Sequence, residues 1–185
     1  MLSRLMVLAC AGLAACTPLA DRIALNPVSS SLELRPLVGS AMIRTISLPT
    51  YAAAEEIAVE TTNGLIVVNE DVLWADEPER AVTLILTRTL GDILNTDVGP
   101  DPWPFVGLPD VSVDIRVERM LGSLDGTFEL NGQFFVASEA ISFRDSTHSF
   151  EITEPLVDTT VAGISAAQSA ALLKLAEQIA ATLGR

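Results

Sequence analysis

Val111-Ser112-Val113-Asp114-Ile115-Arg116-Val117-Glu118 alternates apolar and polar side chains without a break. Successive side chains of a strand point to opposite faces, so this stretch predicts a strand with one buried and one wet face. Asp125-Gly126 marks a turn after it, and Phe128, Leu130, Phe134 and Val136 resume the alternation. Asn131-Gly132 carries a hairpin signal inside that second stretch. A two-residue turn there would throw Phe134 and Val136 onto the face opposite Phe128 and Leu130. A continuous strand keeps all four together, with Gly132 as a bulge or a close backbone contact.

Working outward, residues 141–143 and 150–152 complete the sheet, with a turn at Asp145-Ser146. Residues 162–183 are rich in alanine and set Ile164, Leu172, Leu175, Ala176, Ile179 and Leu183 along one side, which predicts a helix ending at Gly184. Upstream, residues 95–110 hold four prolines and three aspartates and read as a rigid, irregular crossover. Before it, Val82, Ile85, Leu86, Leu90, Ile93 and Leu94 follow helical spacing. Asp76 as cap, Pro78 in the first turn and Glu79 reaching back in a capping box give that helix its start. Residues 57–61 and 65–68 read as strands joined by an Asn63-Gly64 hairpin turn. Leu32 and Leu34 alternate with Glu33 and Arg35, and residues 42–48 form a further strand stopped by Pro49. The sum is an α+β fold, an antiparallel or mixed β-sheet with two helices packed on one face, in a single domain over residues 29–185.

The first fifteen residues have a different character. Arg4 precedes an apolar run over residues 5–13, too short to span a bilayer, and Leu13-Ala14-Ala15-Cys16 matches a lipoprotein signal-peptidase site. Residues 1–15 are therefore expected to be removed, Cys10 with them, and Cys16 to be lipidated. Residues 16–28, with Pro18 and Pro27, read as a tether. Thr17 after the cysteine, where an aspartate would favour retention in the inner membrane, makes the outer membrane the expected destination, with the domain facing the periplasm. One mature cysteine already committed to a thioether leaves none for an internal disulfide.

Against 24 acidic residues stand 11 Lys and Arg, a formal net charge of −13. Phosphate backbones need clustered cations, so nucleic acid is not an expected partner. No Gly-x-Ser-x-Gly elbow, Cys/His metal spacing or glycine-rich phosphate loop is present. The one histidine, His148, sits among Thr147 and Ser149 and reads as a solvated side chain. Asn95, Asp97 and Asp101 echo the start of a calcium loop, but its glycine and closing glutamate are misplaced, and a capped helix end explains them better. Glu55 and Glu56, as strand neighbours, point to opposite faces. The expectation is no enzyme, no cofactor and no metal. Trp103, framed by Pro102 and Pro104 with Phe105 behind it, either plugs one end of the core or presents an aromatic anchor to a partner at low entropy cost. Trp74 reads as a core residue under the first helix. Tyr51 is expected to pack on the body with its hydroxyl in water.

Three features in order resemble a known family. The lipobox is followed by Ile46-Ser47-Leu48-Pro49-Thr50-Tyr51, similar to a strand that ends in a Leu-Pro-x-Tyr turn, and then by Leu73-Trp74-Ala75-Asp76-Glu77-Pro78, similar to a Trp-Ala-Glu-Pro helix opening. With the long strand over residues 126–136 and the last helix over residues 165–183, the chain resembles the PqiC-type auxiliary lipoproteins of ABC/MCE transporters. The resemblance implies an outer-membrane-anchored lipoprotein subunit that docks an MCE-domain protein, supports intermembrane phospholipid transport and membrane integrity, and binds neither ATP nor metal. Trp103, Phe105 and Tyr51 are the expected partner contacts. The alternative reading is a lipoprotein chaperone or pilotin for an outer-membrane protein. Self-assembly is expected if residues 111–137 leave a sheet edge exposed or the Trp103 loop is a docking face.

Overall fold

The alternating stretches do pair, and they form the spine of the sheet. A computed structural model describes residues 20–185, so the signal sequence and Cys16 lie outside the described residues. In chain order the strands are β1 (Asp21–Ile23), β2 (Ser40–Ile43), β3 (Glu56–Glu60), β4 (Ile66–Trp74), β5 (Asp97–Pro100), β6 (Val111–Ser123), β7 (Thr127–Ser138) and β8 (Ser146–Pro155). The helices are α1 (Thr50–Ala53), α2 (Pro78–Leu94) and α3 (Val161–Leu183).

β6 is antiparallel to β7 along nearly its whole length, and β7 to β8. On its other side β6 takes two short parallel partners, β2 at its start through Val111 to Val113 and β3 at its end through Gly122 and Ser123. β5 runs parallel to β2, β4 antiparallel to β3, and β1 parallel to β4. The result is the mixed sheet of an α+β fold, with eight strands among the described residues and a fork on one side of β6, where β2–β5 and β3–β4–β1 leave from its two ends. The two long helices pack on each other and on the sheet. Leu86, Leu90, Leu172, Leu175 and Ile179 from the helices meet Ile115, Phe128, Leu130 and Phe134 from the strands in one buried cluster.

β7 is continuous through Gly132. The bulge lies on the facing strand, where the register shifts between Val117 and Arg119, and Gly132 supplies the close approach: a side chain there would meet Arg116 O at 2.2 Å and Val117 Cα at 2.9 Å. The Asn63-Gly64 hairpin also forms, with Gly64 at φ 79°. Trp74 is buried as expected.

Several expectations are corrected. Residues 21–23, assigned to the tether, form β1, and Ile23 and Leu25 pack against the core. Leu32 and Leu34 do bury, but as a strap rather than a strand: the Leu34 N–H donates to Ile93 O at 2.9 Å and the Leu37 N–H to Leu183 O at 2.8 Å, closing carbonyls at the ends of α2 and α3. The crossover over residues 95–110 contains β5, whose edge position tolerates Pro100. No capping box forms on α2. Its N-cap is Glu77, Asp76 accepts the Glu77 N–H and pairs with Arg80, and Glu79 instead accepts the Leu48 N–H at 3.4 Å. Residues 141–143 are not a strand, and Asp145 closes the loop by accepting the Ser138 N–H at 2.9 Å. His148 is half-buried on β8, stacked on Phe134 at 4.8 Å, with Nε2 2.9 Å from Ser146 Oγ.

Candidate docking site

β5 positions the loop that carries Trp103. The Asp101 N–H donates to Ile43 O at 2.9 Å, and at the far end of the loop the Asp110 N–H donates to Ser40 Oγ at 3.0 Å while its carboxylate accepts the Gly39 N–H at 2.7 Å. Both feet of the loop are thereby pinned to the β2 region. Between them Trp103 turns inward over Gly99, where an added side chain would meet Trp103 Cζ3 at 2.9 Å and Pro104 Cδ at 2.8 Å. Phe105 meets the Trp103 ring edge-on, with centroids 4.9 Å apart and planes at 63°, a geometry aromatic pairs favour.

Trp103 is half-buried over β5, outside the core cluster, and the rest of the loop is presented outward. Phe105 is 50% exposed, Leu108 70% and Val106 fully. Gly107, at φ 90°, bends the tip between them. Three large apolar side chains on a loop pinned at both feet make a preorganised patch, the arrangement that lowers the ordering cost of binding. The Trp103 indole N–H is buried without an acceptor among the described residues. Because a buried donor left unpaired costs about 1–3 kcal/mol, Trp103→Phe is expected to leave unfolding stability within about 1 kcal/mol of the parent in urea titrations, the lost ring area being offset by removal of that donor.

Tyr51 stands apart from this patch. It lies on α1, half-buried, and its hydroxyl accepts the Met120 N–H at 3.4 Å rather than reaching only water. Pro100 is level with Ile43 and Ile43 with Val113, whereas Met120 lies seven residues farther along β6, roughly 20 Å at the usual strand rise. The structure brings Trp103 and Phe105 together and leaves Tyr51 at a distance.

Two apolar features escape a reading of the sequence alone. A groove of about 220 Å³ opens between the end of β1 and α2, lined by Ile23, Leu25, Trp74, Pro78 and Leu84 among others. The β3–β4 hairpin leaves Leu65, Ile66, Val67 and Val68 exposed. Four consecutive apolar residues without alternation are the pattern of a strand buried on both faces, so their exposure is a property of the fold and not of the pattern. Arg119 holds the turn end of β3, its guanidinium paired with Glu60 at 2.6 Å and with Glu129. Burial alone would lower the Arg119 pKa, but hydrogen bonds to Glu129 and Glu60 outweigh it and hold the group above its ordinary value. Among the described residues no cluster of three His, Cys, Asp or Glu could hold a metal ion, and no helix is long and apolar enough to cross a membrane.

A family model described as an ABC-type transport auxiliary lipoprotein component matches residues 25–180. The crystal structure of an uncharacterized protein superposes with a TM-score of 0.71 at 15% identity, over 88% of this chain and 97% of that one. The crystal structure of protein XCC0632 from Xanthomonas campestris, of the DUF330 family, does so with a TM-score of 0.69 at 18% identity, over 88% of this chain and 95% of that one. Both share the fold. No curated protein matches the chain.

Proposed function

The chain belongs to the family of ABC-type transport auxiliary lipoprotein components, and from that premise we propose that it is an outer-membrane lipoprotein, lipidated at Cys16 and facing the periplasm, which docks the MCE-domain protein of a phospholipid transporter. The family is one of transport auxiliaries and not a known enzyme family. The observation that carries the reading is the loop of residues 103–108, where an inward tryptophan seats an outward apolar patch of Phe105, Val106 and Leu108.

Its position along the sheet supports the role. The loop springs from the Val113 end of β6, and the β3–β4 hairpin from the Ser123 end, ten residues and roughly 30 Å away. An anchored subunit needs one end for the membrane and another for its partner. Residues 111–137 do not supply the edge expected for self-assembly, because β7 lies between β6 and β8 and β6 has β2 and β3 on its other side; the Trp103 loop and β8, which pairs only with β7 among the described residues, are the surfaces left for it.

Affinity purification of the lipidated protein from detergent-solubilised native membranes tests the reading. The wild-type chain is expected to retain an MCE-domain protein, and a Phe105→Asp, Val106→Asp variant to lose at least about tenfold of it, the cost of a desolvated charge in an apolar anchor site. Its unfolding stability should stay within about 0.5 kcal/mol, as for other exposed positions. Equal recovery with both chains would remove the loop from the interface. Recovery of a secretin or another outer-membrane protein in place of the MCE-domain protein would favour a chaperone.

A further inference from the structure

The β3–β4 hairpin has more apolar surface exposed than a strand pair in water usually carries. Leu65 is 61% exposed, and Ile66, Val67 and Val68 are exposed with it. Alternate residues of a strand face opposite sides, so the ribbon is apolar on both. β1 covers β4 only from Val72 to Trp74, and the stretch before Val72 has no strand partner on that edge among the described residues. Leu124, in the β6–β7 turn, donates its N–H to Glu60 O at 2.9 Å and is exposed beside the hairpin. Val157, following the Leu156 N–H that donates to Gly126 O, is 93% exposed at the same end of the sheet. Isolated exposed apolar side chains are ordinary, but six at one end of a molecule are a surface.

The direction of β1 says what that surface meets. β1 is parallel to β4, with Asp21 level with Val72 and Ile23 level with Trp74. The N-terminal end of β1, at Asp21, is therefore turned toward the hairpin tip. Cys16 lies five positions before Asp21 and Val67 five before Val72, and five residues reach at most roughly 17 Å. A diacylated Cys16 so tethered holds the bilayer within reach of the hairpin. The same short reach would keep the Trp103 loop, at the other end of β6, away from the lipid.

We infer that the β3–β4 hairpin is a membrane-seating element, whose Leu65 to Val68 side chains enter the boundary between headgroups and acyl chains of the leaflet that holds the lipidated Cys16. This rests on the lipidation of Cys16. The lipid it fits is zwitterionic, because residues 61–71, 124–126 and 156–159 contain no Lys or Arg and do contain Glu70, Asp71, Asp125 and Asp158. Contact is by apolar burial at the interface, and anionic headgroups oppose it. The element fixes how the domain stands on the membrane, a role a flexible lipid tether alone does not perform.

The test uses the full lipidated chain in phosphatidylcholine and phosphatidylethanolamine vesicles, with an environment-sensitive fluorophore on Val67→Cys or, for comparison, on Val106→Cys. The thioether at Cys16 makes the label unique. The expected result is blue-shifted emission at position 67 that is quenched by doxyl-labelled lipid, water-like emission at position 106 that is not, and weaker quenching at 67 when phosphatidylglycerol is added. Emission at 67 that matches 106 would overturn the inference. So would a blue shift at 67 without doxyl quenching, since a protein surface would then cover the hairpin. Failure of the unlabelled chain to float with vesicles would instead overturn the anchoring at Cys16 on which the inference rests.

Discussion

Gly132→Ala is expected to destabilise the domain by about 4 kcal/mol, among the largest effects of any single methyl group in the chain. The added carbon would stand 2.2 Å from Arg116 O and 2.9 Å from Val117 Cα. Both are backbone atoms of β6, and they cannot swing aside as a side-chain tip can. Relief requires separating β6 from β7 opposite the register shift at residues 117–119, in the middle of the longest ladder in the sheet. Phe150, whose ring would also lie 2.9 Å away, would have to leave its seat on β8. Urea unfolding of the domain lacking residues 1–16 measures the loss, and a change below about 1 kcal/mol would show that the ladder adapts at a cost typical of a surface site.

Gly99→Val is the counterpart for function. Its new side chain would compete for the space held by Trp103 Cζ3 and by Pro104 Cδ and Cγ, at 2.9, 2.8 and 3.0 Å. β5 is an edge strand and the loop that follows is solvent-facing, so the loop yields before the sheet does. Overpacking of this kind costs about 1–3 kcal/mol. The chain has two tryptophans, and Trp74 stays buried, so a red shift of intrinsic emission reports Trp103 leaving its seat. Retention of an MCE-domain protein should fall at least about tenfold, because the patch loses its preorganised support. Unchanged emission with unchanged retention would mean that Trp103 does not shape the docking face.

The parts of the fold that were legible in the sequence were those in which local pattern and tertiary burial agree. Val111 to Val117 alternates because one face of β6 lies in the core shared with the helices, and what keeps Phe128, Leu130, Phe134 and Val136 on one side is burial before turn chemistry. Where local chemistry had a tertiary competitor, the sequence misled. Glu79 could complete a capping box, but the Leu48 N–H offers it a partner from another element. Leu32 and Leu34 alternate as a strand would, yet the backbone between them and Leu37 satisfies helix ends instead of a ladder. Proline density hid β5, because composition does not reveal that a strand lies at an edge where a missing N–H is harmless.

The candidate site was half legible. Prolines on both sides of Trp103 signalled a stiff frame, and Phe105 proved its neighbour. Val106 and Leu108 carry no comparable signal, because exposure is a property of the folded loop and not of residue type. Tyr51 shares a resemblance with its surroundings in the chain but not a location with Trp103. The apolar run at Leu65 to Val68 predicts a strand, and nothing in the run shows that β1 reaches only Val72 to Trp74 and that the side chains before them stay exposed.

A photo-crosslinking residue at Val106 of the full lipidated chain, activated in intact cells, tests the central claim most directly. The account predicts a crosslink to an MCE-domain protein from position 106 and none from the same probe at Val67. A crosslink from 106 to a secretin or other outer-membrane protein, or to the MCE-domain protein from 67 instead of 106, would contradict it.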